Sequence, residues 1–128
     1  MLSEWNREEY ENLNVYNDYN TQVQRWVDNG RKPEFLLTTG NYAIFSKWYD
    51  RCRPNKYWIL KHDNTQRPEK EKIRTAANRM ALCDEYLKQS NDTIIAAEKY
   101  HRRKIVYVIG ALLVFIADIR KTLQTAYL

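Results

Sequence analysis

The chain has 128 residues, 44% of them apolar, and a net charge of +5, which suits one small domain with a modest core. Only three Gly and three Pro occur, too few for a many-turned β-sandwich or barrel. Cys52 and Cys83 are the only cysteines; their wide separation excludes a disulfide framework or a zinc-finger spacing and reads as two reduced thiols, with a single bridge as the alternative.

Charge is polarised along the chain. Residues 1–29 hold Glu4, Glu8, Glu9, Glu11, Asp18 and Asp28 against Arg7 and Arg25, a net of −4, and the remainder carries +9. An acidic head on a basic body predicts a partner of matched polarity or an anionic surface near the basic part. The N-terminal sequence is acidic and has no apolar run, so neither a signal peptide nor a transit peptide is expected.

In chain order, Ser3 is a candidate N-cap, with Glu4, Glu8 and Glu9 in or near the first turns, where the helix dipole favours acids. Leu13, Tyr16, Val23, Trp26 and Val27 recur at helical spacings, and Asn29-Gly30 suits a helix end. Asn17-Asp18 is a candidate break, because Asn and Asp compete with helix for backbone hydrogen bonds. Pro33 is a natural first helical residue. A short turn through Phe35, Leu36 and Leu37 is expected to end at Gly40. Tyr42, Phe45, Trp48, Tyr49 and Cys52 trace one face of a second helix, stopped by Arg53-Pro54-Asn55. Tyr57-Trp58-Ile59-Leu60 fits a short strand or a helical turn, and His62 to Arg67 is a polar loop.

Pro68 opens the clearest helix. Ile73, Ala76, Met80, Cys83 and Leu87 follow at alternating spacings of three and four, a packing stripe that must meet another helix in this chain or a partner. Ser90-Asn91-Asp92 reads as a break and cap, dividing a head, 1–91, from a C-terminal helix, 92–128. Such a helix would be roughly 55 Å long at about 1.5 Å per residue; it must protrude from a small globule or break at Gly110.

The C-terminal helix carries the strongest signal. Ile105–Ile119 contains one charge, Asp118, in a chain whose mean hydropathy is −0.75. It is apolar on every face, unlike the stripe at 73–87, so it must be covered by a core, a partner or a bilayer. Arg102, Arg103 and Lys104 precede it and Arg120 and Lys121 follow, placed to reach lipid headgroups; Tyr100 and Tyr127 lie outside these flanks. Ile105, Val108, Ile109, Leu112, Leu113, Phe115 and Ile116 are the candidate membrane anchor. The objection is length: fifteen residues make about 22 Å of helix, against a hydrocarbon core of about 30 Å. The competing readings are a buried core helix and a strand over Ile105–Ile109 leading into a helix. If the segment spans, the excess of Lys and Arg before it places the N-terminal part on the cytoplasmic or matrix-like side. Otherwise the protein is expected in the cytoplasm. Gly110 and Ala117 share a face on which a neighbouring helix could approach closely.

Chemistry is sparse. His62 and His101 have no ligand-spaced neighbours, and no phosphate loop, nucleophile elbow or paired carboxylates occur. The chain therefore reads as no enzyme, with no cofactor, metal or small-molecule substrate. Segment 47–61 interleaves five cations with two Trp and two Tyr. Its candidates Trp48, Arg51, Arg53, Lys56 and Trp58 would suit single-stranded nucleic acid or an anionic lipid surface, unless the rings are core.

In plan the chain is similar to small single-pass accessory subunits of membrane complexes, such as those of mitochondrial respiratory assemblies. The expectation is an all-α protein of about four helices, its long C-terminal helix carrying a single membrane span. It would act as a non-catalytic accessory or structural subunit of a larger assembly, gripping other protein subunits. One alternative is a soluble helical adaptor or virion-type structural protein with 105–119 as core or oligomer interface. The other is a nucleic-acid-binding module built on 47–61.

Overall fold

The computed structural model describes residues 2–127, with side chains from Glu4 onward. The fold is all-α: α1 (Leu2–Asp28), a 3-10 turn (Pro33–Phe35), α2 (Thr39–Cys52), α3 (Lys56–Lys61) and α4 (Glu69–Ala126), with no strand among the described residues. The chain divides into two units, residues 1–93 and 94–128.

The first unit is built on the inner face of α1. Tyr16, Tyr19, Val23 and Trp26 are buried at spacings of three, four and three, one stripe of a helix. Asn17 and Asp18 fall on the exposed face, so the expected break does not form: their side chains meet water rather than competing for the backbone. Ser3 lies inside α1 rather than capping it. Gly30, with φ 74, closes the helix as foreseen. The Arg31 amide donates to Trp26 O at 2.8 Å and the Gly30 amide to Val27 O at 3.1 Å, the paired bonds of a Schellman end.

α2 buries Phe45 and Trp48 and half-buries Tyr42, Tyr49 and Cys52, the face its spacing predicts. It begins one residue before Gly40, with Thr38 as N-cap accepting from the Asn41 amide at 3.3 Å. Gly40 is thus a first-turn residue and not a break. Arg53 takes the left-handed conformation (φ 48), and its amide bonds Tyr49 O. Asn55 then caps α3 by accepting from the Trp58 amide at 2.9 Å, which settles Tyr57–Leu60 as helix.

The core is a stack of aromatic rings, most with their polar tips paired, though the buried Trp26 Nε1 has no hydrogen-bond partner. Tyr19 lies 5.2 Å from Phe45 and 5.8 Å from Tyr86, Trp26 lies 5.4 Å from Tyr86, and Tyr16 meets Trp58 edge-on at 5.2 Å. The Tyr19 hydroxyl donates to Cys83 O, and that of Tyr86 to Phe35 O at 2.8 Å. Burial pushes the Tyr16 and Tyr86 phenols and the Cys83 thiol each up to about 12 and raises Tyr19 and Tyr49 further.

α4 is unbroken from Glu69 to Ala126, which corrects the expected break and cap at Ser90-Asn91-Asp92. Ser90 is fully buried, and its Oγ accepts from the Leu37 amide at 3.1 Å. Its hydroxyl serves a neighbouring segment instead of a helix end. Gly110 likewise leaves the helix intact.

No helix among the described residues is long and apolar enough to cross a membrane. The run without charge is only Ile105 to Ala117, about 20 Å of helix against a hydrocarbon core of about 30 Å. Any longer stretch takes in Lys104, or Asp118 and then Arg120 and Lys121.

Candidate functional site

Within the second unit every residue from Ile95 to Tyr127 is exposed. The anchor candidates Ile105, Val108, Ile109, Leu112, Leu113, Phe115 and Ile116 are therefore all uncovered, with Leu113 63% and Phe115 62% exposed. They are not this chain's core, nor are Ile105–Ile109 a strand. Val106, Val114, Ile119 and Leu123 are exposed beside them and widen the apolar surface to all faces of the helix. An isolated helix with such a surface would leave an apolar patch well beyond what single soluble chains normally show.

The flanking cations Arg102, Arg103, Lys104, Arg120 and Lys121 are exposed as well, and no ion pair among the described residues involves them. At the N-terminal end of the block, His101, Lys104, Ile105, Val108 and Ile109 line a shallow groove of about 280 Å³. Their spacing of three, one, three and one places them on a single helix face. The groove is cationic at one end and aliphatic at the other.

The packing stripe is mostly used within the first unit. Ala76 and Cys83 are buried, Met80 and Leu87 half-buried, while Ile73 stays 45% exposed. It is therefore no continuous free face for a partner. Tyr86 and Ser90 complete the inner surface of α4; Tyr86 lies off the three-and-four stripe, and Ser90 reads locally as a cap.

The basic aromatic segment is divided between core and surface. Trp48 is only 3% exposed, and its Nε1 donates to Asn12 Oδ1 at 3.3 Å. Trp58 is half-buried, packed edge-on to Tyr16 and, at 6.4 Å, to Trp48. Arg51, Arg53 and Lys56 remain exposed. The expected Trp48 and Trp58 stacking platform is corrected accordingly: Trp48 is closed to a base or a lipid, and Trp58 is largely committed to the core. The accessible rings beside these cations are Tyr57 (68% exposed), under Lys56, and Trp5 (56%), under Lys61. Trp5 was missed because it lies half the head away in sequence.

Two further clusters lie on the first unit. Glu9 Oε1 hydrogen-bonds His62 Nε2 at 2.9 Å and lies 3.8 Å from Lys61 Nζ, and the His62 ring stands edge-on to Trp58 at 4.6 Å. This contact ties the end of α3 to α1. An open cleft of about 490 Å³ is lined by Tyr49, Asp50, Arg53, Pro54, Asn55, Met80 and Asp84. There Tyr49 hydrogen-bonds Asp84, and that bond together with burial holds the phenol protonated. No three His, Cys, Asp or Glu side chains converge as metal ligands among the described residues. Both cysteines are free thiols.

Compared with known proteins, the chain matches no family model, no curated protein and no solved structure.

Proposed function

We propose that this protein is a non-catalytic helical subunit of a larger membrane-embedded assembly, held there by the apolar segment 105–119. One observation carries the reading: the segment is apolar on all faces, and its large apolar side chains are all exposed. The first unit already has its own closed core, so the segment is surplus to folding and available for insertion. Its shortness is met in three ways: Arg102, Arg103 and Lys104 reach outward, Arg120 and Lys121 do so less, and the bilayer thins locally around the assembly. The positive-inside bias puts residues 1–93 on the cytoplasmic or matrix-like side.

Alkaline extraction of membranes from cells producing the full chain tests this. The protein stays with the membrane pellet, and Leu113→Arg moves it to the supernatant. Release of the unaltered chain ends the anchor reading.

The thirteen-residue uncharged run favours a second reading, in which apolar helices of partner subunits cover the segment in a water-soluble assembly. That reading gains if the chain is released at alkaline pH yet co-purifies stoichiometrically with other subunits in detergent-free buffer, and Leu113→Arg abolishes the co-purification.

A further inference from the structure

We infer that the N-terminal flank of the apolar segment, Arg102, Arg103 and Lys104 together with the adjoining groove that Lys104 lines, is a binding site for anionic phospholipid. The inference rests on the anchoring reading above and specifies which lipid is recognised and by which end.

Three features carry it. The first is the axial polarity of the groove. His101 and Lys104 stand at one end and Ile105, Val108 and Ile109 at the other, the order in which a phospholipid presents its headgroup and its acyl chains. The second is unopposed charge. Arg102, Arg103 and Lys104 are consecutive, so successive side chains are about 100° apart and surround most of the helix. None is paired with an acid of the chain among the described residues, and the adjacent Glu98 and Lys99, one turn before, cancel each other and leave the flank's net positive charge intact. Clusters of this kind beside a membrane-inserted helix attract anionic lipid.

The third feature is direction. In an α-helix the Cα–Cβ bonds tilt toward the N-terminus, and long side chains lean the same way. Cations preceding an apolar segment therefore lean away from it, toward the headgroup layer. Arg120 and Lys121 follow the segment and lean back over it, past Asp118, whose charge opposes theirs. The two flanks thus differ in number, in net charge and in reach, and the headgroup site belongs to the first.

Flotation of the full-length chain with two vesicle types tests the site: phosphatidylcholine alone, and phosphatidylcholine mixed with phosphatidylglycerol. The unaltered chain floats with both and partitions about tenfold or more tightly onto the anionic vesicles, a preference that shrinks as salt is raised. The triple variant Arg102→Gln, Arg103→Gln, Lys104→Gln loses the preference but still floats with neutral vesicles. Arg120→Gln with Lys121→Gln keeps most of it. Equal partitioning of the unaltered chain onto both vesicles overturns the site and leaves the anchor standing. So does a preference that survives the triple variant, or one lost equally in the double variant. No flotation with either vesicle overturns the anchor, and the site with it.

Discussion

The two halves of α4 are one helix with two solutions to hydrophobicity. From Glu69 to Thr93 its apolar residues are interleaved with polar ones, and Ala76, Cys83 and Tyr86 find cover within the chain. From Ile95 onward the helix is uniformly exposed, although this half holds the longest apolar run of the sequence. An amphipathic stripe carries the instruction to fold against a neighbour of the same chain. An apolar surface on all faces carries no direction and must be covered from outside. The head is thus self-sufficient and the C-terminal segment is not, and each prediction that follows tries to collapse or widen that difference.

The largest effect is expected in the head. Trp26 is fully buried and packed on Tyr86, so Trp26→Ala should cost about 3–5 kcal/mol in denaturant unfolding, while Leu113→Ala leaves the same transition unchanged. Equal losses from the two would mean the segment is part of the fold.

Next is Leu113→Arg. In the middle of an inserted helix it is expected to cost about 3 kcal/mol of insertion and to leave the head's melting temperature where it was. A fall in melting temperature measured without lipid would contradict the separation.

Smaller again is Ser90→Ala, which leaves the Leu37 amide without its acceptor and should cost about 1–3 kcal/mol of head stability. The same variant reports on helix continuity: were Ser90 a cap, its loss would fray residues 92–100, visible as faster amide exchange there and nowhere in the head.

Alkali gives a graded test of the head. Burial raises the Cys83 thiol from 9.0, and the Tyr16 and Tyr86 phenols from 10.0, each to about 12. The folded head therefore holds protons that the unfolded chain releases. Its stability should be level below about pH 9 and decline as pH rises toward about 12. Unfolding midpoints measured across that range should fall steadily, and midpoints that stay level would remove the burial account. The same decline applies during alkaline extraction, which is why Leu113→Arg is needed there: retention of an unfolded head by aggregation would not respond to it.

The smallest effect belongs to the exposed Arg31–Glu85 pair at 2.8 Å. Glu85→Gln should change stability by about 0–1 kcal/mol, since water screens both partners.

How far the sequence reveals this architecture depends on the kind of residue. Tyr42, Phe45, Trp48, Tyr49 and Cys52 announce the inner face of α2, because spacing alone places them together. Tyr16, Val23 and Trp26 do the same for α1, but Tyr19 passes unnoticed among ten tyrosines, its burial depending on a carbonyl partner 64 residues away. Ser90 misleads for a related reason. Local preference makes it a cap, and a tertiary hydrogen bond makes it core. In the candidate site the apolar block and its cations are legible by composition. The withdrawal of Trp48 follows from the α2 spacing, but that Trp5 lies beside Lys61 does not, since only the packing of the head brings them together.

The most direct test of the central claim is amide hydrogen exchange on the full chain in neutral liposomes and in lipid-free dilute buffer. Amides around Tyr19, Trp26, Cys83 and Tyr86 should be protected in both conditions. Those from Ile105 to Ala117 should become strongly protected only with lipid. Exchange over 105–117 that is equally fast with and without liposomes would contradict the account.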